Sequence, residues 1–217
     1  MILTVLFYIL VAATSIQIIY FLCFSSVLPD KTKTNNDVTD LPISVVICAK
    51  NEADNLTEFL PSILDQKYSN FEIVLINDAS TDTTLEVMEQ FRNKNSNIKI
   101  VDIKNIEAFW GNKKYALTLG IKAATHDQLL FTDADCKPKS NRWIQEMASQ
   151  FTTDKTIILG YGKYASKKTF VNLLVRFETL LTALQYYSYA KLGSPYMGVG
   201  RNLAYTKNDF FRTNGFI

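Results

Sequence analysis

The sequence predicts an α/β protein: a mostly parallel sheet flanked by helices, behind one membrane-spanning helix. Three observations predict it. Short, near-continuous apolar runs rich in β-branched residues, such as Ile43–Ala49 and Phe71–Ile76, alternate with stretches of helical periodicity, as strands buried on both faces do. Three of the strand exits carry acids, in Lys50-Asn51-Glu52, Asn77-Asp78 and Asp133-Ala134-Asp135. Finally, Met1–Pro29 holds no charged residue.

The amino end comes first. The run Ile2–Leu28 exceeds the roughly 18 apolar residues that read as a spanning helix. No Lys or Arg precedes it, as a cleaved signal would require, so residues 1–28 read as a retained anchor. Lys31 and Lys33 are the first basic residues after it. The excess of positive charge there places the following chain on the cytoplasmic side of the cell membrane and the amino terminus outside. Residues 29–41 form a polar linker, and residues 42–217 form the body.

Composition excludes several classes. A chain of 217 residues suits one domain with an appendage. A net charge of +2 leaves no basic footprint for nucleic acid. Cys23, Cys48 and Cys136 are far apart and odd in number, which argues against a disulfide framework or zinc site and fits a reducing compartment. His126 is the one histidine, so no His cluster exists to hold a metal.

In the body, Pro42 opens a strand over Ile43–Ala49. Leu56, Phe59, Leu60 and Leu64 then fall at helical spacing within Glu52–Gln66, where Pro61 is expected to kink or split the helix. A second strand, Phe71–Ile76, leads to a helix over Thr83–Phe91 with Asp82 as its N-cap. Ile98–Val101 is a third strand, and Lys113–Ala124 is a helix with a small-residue face. Gln128–Phe131 is the fourth strand, and Ser140–Phe151 is helical. Between Tyr161 and Leu192, apolar residues recur at Phe170, Leu173, Leu174, Phe177, Leu180, Leu181 and Leu184, after Lys163, Lys167 and Lys168 and before Tyr186, Tyr187 and Tyr189. Two readings stay open for this helix: a core helix packed on the sheet, or one lying on the membrane surface beside an acceptor entry.

The acids carry the chemistry. Residues i and i+2 of an extended chain point to one side, so Asp133 and Asp135 can aim two carboxylates at one point beyond a strand end. Mg²⁺ and Mn²⁺ take oxygen ligands of this kind together with substrate phosphates. In parallel sheets ligands sit beyond the carboxyl ends of the strands, where the three acidic exits would converge if their strands are neighbours. There is no G-x-G-x-x-G after the first strand and no G-x-x-x-x-G-K-[ST]. An acid-rich cleft with a divalent ion therefore suggests a phosphorylated or nucleotide substrate.

Taken in order, Ala49-Lys50-Asn51-Glu52-Ala53-Asp54-Asn55-Leu56, Ile76-Asn77-Asp78-Ala79-Ser80-Thr81-Asp82, Gly111-Asn112-Lys113-Lys114-Tyr115-Ala116-Leu117, Phe131-Thr132-Asp133-Ala134-Asp135, Gly200-Arg201-Asn202-Leu203-Ala204-Tyr205 and Asn214-Gly215-Phe216 resemble the family 2 glycosyltransferases. Those enzymes have the Rossmann-like GT-A fold and use nucleotide-sugar donors. The resemblance spans residues 43–217. It implies that Glu52 and Asp78 contact the base and ribose of a UDP- or GDP-sugar, that Lys113 meets the diphosphate, and that Asp133 and Asp135 hold Mg²⁺ or Mn²⁺ across it. Arg201 and Asn202 would face the acceptor side, with a plain turn as the alternative. The acceptor implied is lipid-linked or a polysaccharide, and transfer would invert the anomeric centre.

The sequence departs from the family in two places. Asn77-Asp78 stands where two consecutive acids are common. The acidic motif that usually follows the Gly-Phe segment and supplies the general base is expected beyond Ile217, in a longer chain. A membrane-tethered nucleotide-sugar binder without transfer activity is the alternative. A sugar-phosphate nucleotidylyltransferase is a further one, although Cys48–Glu52 lacks the glycine-rich loop that class would show.

Overall fold

The structure, a computed structural model, describes residues 2–25, 40–104 and 113–216, of which 23–25 as backbone only. Most of the expected linker, and Gly111 and Asn112 of the expected basic motif, lie outside the described residues. The chain divides into two compact units: Met1–Lys33 with Tyr161–Gly198, and Thr34–Gly160 with Val199–Ile217.

The larger unit is built on a six-stranded sheet. Its strands are β1 (Ile43–Ala49), β2 (Phe71–Asp78), β3 (Ile98–Ile103), β4 (Gln128–Asp133), β5 (Ile157–Leu159) and β6 (Leu203–Thr206), in the spatial order β3-β2-β1-β4-β6-β5. The first four are parallel; β6 runs antiparallel to both β4 and β5. Alternate residues of each central strand feed two cores. Val45 and Ile47 of β1 and Ile73 and Leu75 of β2 pack with Leu56, Leu60 and Ile63 of α2 (Ala53–Leu64) and Met88 of α3 (Thr84–Lys94). Val46, Val74 and Ile76 face the other way, toward Ala116 and Ile121 of α4 (Lys113–Ala123). Burial on both faces is why β1 and β2 read as continuous apolar runs.

Several expectations need adjusting. Pro61 lies inside α2, yet the helix stays in one piece. Its carbonyl still accepts from Asp65 N at 2.9 Å, and Leu56, Leu60 and Ile63 bury the helix against the sheet. The expected helix over Ser140–Phe151 shrinks to α5, Trp143–Ala148. The helix α3 begins at Thr84, and Asp82 sits one residue outside the N-cap position, which Thr83 takes. Strands β5 and β6 and the short helix α7 (Lys207–Arg212) were not anticipated.

In the smaller unit, α1 (Ile2–Ser25) carries an apolar window, Ile2–Leu22, of mean hydropathy 2.3 with none of it buried. It is long and apolar enough to cross a membrane. Tyr20 of α1 shares side-chain hydrogen bonds with Gln185 and Tyr189 of α6 (Phe170–Lys191). Thr169 caps α6 by accepting from Asn172 N at 3.2 Å. Phe170, Leu173, Leu174, Phe177 and Leu180 are exposed while Leu181 and Leu184 are half-buried, so the reading of this apolar row as core does not hold for its amino-terminal half.

Candidate active site

Strand register brings the acidic exits together. Ala49 is level with Asn77 across β1 and β2, and Cys48 is level with Asp133 across β1 and β4. The carboxyl ends of three adjacent parallel strands therefore open on one edge of the sheet, where such folds bind ligands. The Cys48 thiol lies among the charges: burial and the field of Asp78 push it up to about 11, with Asp133 adding and Lys113 and Lys50 opposing. Four charged groups from separate segments thus act on one atom. Sequence reasoning passed over Cys48, whose only signal is its place one residue from the end of β1.

Backbone and side chains of the loops fix this edge. Asn51 has φ +56° and Ala79 φ +50°, the left-handed region that bends the chain sharply at each strand exit. The two bends are tied to each other: Asn51 N donates to Ser80 Oγ at 3.0 Å, and Thr81 N donates to Asn51 Oδ1 at 2.8 Å. Glu52 N donates to Thr84 Oγ1 at 2.8 Å, and the Asp82 carboxylate accepts from Thr84 N at 3.0 Å and from Ala53 N at 3.5 Å. Asp82 therefore serves the first N–H groups of both α2 and α3, which lowers its pKa below the ordinary carboxylate range, the Thr84 hydroxyl being the largest cause. Glu52 is half-buried and its Oε2 accepts from Asn55 Nδ2 at 2.5 Å. Asp78 is buried.

The position where the family commonly has a second acid is occupied by Asn77, and its neighbour explains the amide. Asn77 is level with Asp102 on β3, and Asn77 Nδ2 donates to Asp102 Oδ1 at 2.7 Å. Asn77 Oδ1 accepts from Ser80 N at 3.2 Å. A carboxylate could make the second bond but would oppose Asp102 in the first.

Asp133 closes β4, and Lys113 opens α4. Lys113 Nζ donates to Asp133 Oδ1 at 2.7 Å, both side chains being partly exposed. Burial works against the lysine charge, but Asp133 outweighs it and the Lys113 pKa is raised. Potential ligand atoms of Asp133, Asp135 and Cys136 lie within 4.8 Å of one another. Two carboxylates are hard donors that suit Mg²⁺ or Mn²⁺. The Cys136 thiol, which burial and Asp135 push up to about 12, is protonated near neutrality. The donor set that fits a hard cation is therefore the two aspartates.

Arg201 and Asn202 lie in a 3-10 turn, Gly200–Asn202, that leads into β6. Asn202 Oδ1 accepts from Trp143 Nε1 at 3.0 Å, and Asn202 O accepts from Gly160 N at 2.8 Å. A Cβ at Gly160 would collide with the Asn202 side chain. Asn202 thus joins β5, β6 and α5, a tie across 59 residues to Trp143 that no local pattern reveals.

Known proteins share this fold. A mannosyltransferase, PcManGT from Pyrobaculum calidifontis, solved with GDP-Man and Mn²⁺, superposes with a TM-score of 0.71 over 95% of this chain and 56% of its own, at 18% identity. At that identity the likeness is one of fold. An uncharacterized glycosyltransferase of Haemophilus influenzae is 33% identical over 107 residues, 49% of this chain and 32% of that protein. A poly-beta-1,6-N-acetyl-D-glucosamine synthase of Staphylococcus epidermidis is 36% identical over 93 residues, 43% of this chain and 21% of that protein. The matched region is thus a third or less of these curated relatives' length. Residues 44–212 match the family described as Glycosyl transferase family 2, and with most of its length inside that match the chain belongs to glycosyl transferase family 2.

Proposed function

We propose that this chain forms the donor-binding part of a membrane-anchored glycosyltransferase, which moves a sugar from a UDP- or GDP-sugar to a lipid-linked or polysaccharide acceptor. One observation carries the reading: β1, β2 and β4 end level, so that Glu52, Asp78 and the Asp133/Asp135 pair share one edge with Lys113 against them. The fold neighbour's GDP-Man and Mn²⁺ and the synthase name of the Staphylococcus relative agree with it.

Each group has a task. Glu52 and Asp78 accept hydrogen bonds from ribose hydroxyls and a base N–H. Asp78 is buried, so its bond to a ligand is shielded from water and stronger for it. Lys113 places a point charge at the diphosphate, trading its bond to Asp133 for phosphate oxygens. Asp133 and Asp135 hold Mg²⁺ or Mn²⁺. When bound, the cation neutralises charge growing on the departing nucleotide diphosphate. The acceptor hydroxyl attacks the anomeric carbon from the opposite side, inverting it. Arg201 borders the acceptor, and α1 anchors the protein in the cell membrane with the sheet unit cytoplasmic.

Calorimetry of the full chain with GDP-mannose and with UDP-N-acetylglucosamine tests this. In Mn²⁺ one donor should bind, and chelator, Asp133→Asn or Asp135→Asn should each weaken it by about tenfold or more. Binding indifferent to chelator and to both substitutions overturns the metal role. Metal-dependent binding with no sugar transfer by the full-length protein would support the tethered-binder alternative.

A further inference from the structure

We propose that the amino-terminal half of α6 docks on an anionic phospholipid bilayer, its apolar row sunk into the interface and its basic neighbours among the lipid phosphates. Among the described residues outside α1, this row is a dense run of exposed large apolar side chains. Phe170 is 73% exposed, Phe177 63%, and Leu173, Leu174 and Leu180 about half or more. At about 100° per residue, these five fall within an arc of roughly 120°. A soluble face that wide is normally covered.

The surrounding charge identifies what covers it. From Tyr161 to Leu192 the charged residues are Lys163, Lys167, Lys168, Arg176 and Lys191 against the one acid Glu178. The three lysines at the start of the helix are exposed. An apolar helical face with a basic rim suits the boundary between headgroups and acyl chains of an anionic membrane. It suits a second copy poorly, because the same basic rim would face itself.

A second observation puts α6 at the right height. Tyr20 lies near the end of the apolar window Ile2–Leu22, and its side chain is hydrogen-bonded to Gln185 and Tyr189. Tyr189 in turn packs edge-on against Tyr196, with ring centroids 5.1 Å apart. Tyrosines collect at membrane–water interfaces, where an apolar ring and a polar hydroxyl are both satisfied. The carboxyl-terminal part of α6 is thus fastened to the end of α1, and docking its other half becomes an intramolecular event at high effective concentration.

The test uses the full chain in vesicles of phosphatidylcholine with about 30% phosphatidylglycerol. Flotation of the parent reports anchoring by α1 and is scored separately. Tryptophan is then placed in the row by Phe177→Trp, or off α6 altogether by Glu58→Trp on the exposed side of α2, with the parent's own tryptophans as baseline. Lipids brominated on the acyl chain should quench the added fluorescence of Phe177→Trp about twofold or more and that of Glu58→Trp far less. Replacing Lys163, Lys167 and Lys168 together by Glu should relieve the quenching while flotation persists. A floating protein whose Phe177→Trp signal is unquenched overturns the proposal, and so does one whose row is instead protected in a cross-linked dimer. Quenching unaffected by the triple replacement overturns the anionic-bilayer assignment.

Discussion

Asn77 shows how one residue can depart from a family pattern for a local reason. Its amide both donates to Asp102 Oδ1 and accepts from Ser80 N, which a carboxylate cannot do. Asn77→Asp would set two like charges at hydrogen-bond distance on neighbouring strands, with one of them on a buried residue. Repulsion of this kind raises one carboxyl pKa and destabilises the fold above it. The expected loss at neutral pH is on the order of 1–2 kcal/mol, read as a fall in the unfolding midpoint. Asp102→Asn in the same chain should restore most of it, because a carboxylate then faces an amide again. The double-mutant cycle isolates that pair. If the two substitutions simply add, Asp102 is not the reason for the amide.

Among elements, α4 and β2 approach closely in the sheet unit. Gly120 lies over Ile76, and a Cβ there would collide with the isoleucine Cδ1 and Cγ1. Gly120→Ala gains intrinsic helix propensity but overpacks this contact, and the second effect should dominate by about 1–3 kcal/mol. Ile76→Val in the same background should recover part of the loss, measured by chemical unfolding; a more stable Gly120→Ala would show that α4 can lift without cost. Strands β1, β2 and β4 were legible because burial on both faces makes each an apolar run, and Asp133 and Asp135 because they follow such a run; β3, an edge strand with Lys99 and Asp102 exposed, showed only in its β-branched residues. The strand β5 is three residues long with Ile157 exposed, and β6 alternates buried and half-buried positions, so neither carries that signature. The Asn51 bonds to Ser80 and Thr81, and that of Trp143 to Asn202, join residues tens of positions apart. Only the strand order brings those partners together.

For the molecule as a whole, the strand ends away from the site are held by one carboxylate. Glu72 lies next to the start of β2 and is buried. Ser44 Oγ of β1 donates to its Oε1 at 2.7 Å, and Thr125 N, just before β4, donates to the same oxygen at 2.5 Å. Thr125 Oγ1 and Lys99 Nζ of β3 reach Oε2 at 2.9 and 3.0 Å. Burial alone would raise the Glu72 pKa, but these donors reverse it and hold it at about 2 against an ordinary 4.5. Because the folded value is depressed, the stabilisation is fully present above the unfolded pKa and disappears as pH falls from about 4.5 toward 2. Its size is on the order of 2–3 kcal/mol. Glu72→Gln cannot offer two acceptor oxygens to four donors and should melt roughly 5 °C or more below the parent at pH 7. The gap between the two proteins should narrow steadily as pH falls from about 4.5 toward 2, where the folded parent's carboxyl itself takes up its proton. Thermal unfolding of the full chain in detergent, followed by circular dichroism across pH 2.5–7, reads both effects. Parallel curves for the two proteins between pH 4.5 and 2.5 would show that Glu72 does not set the acid limit of this fold.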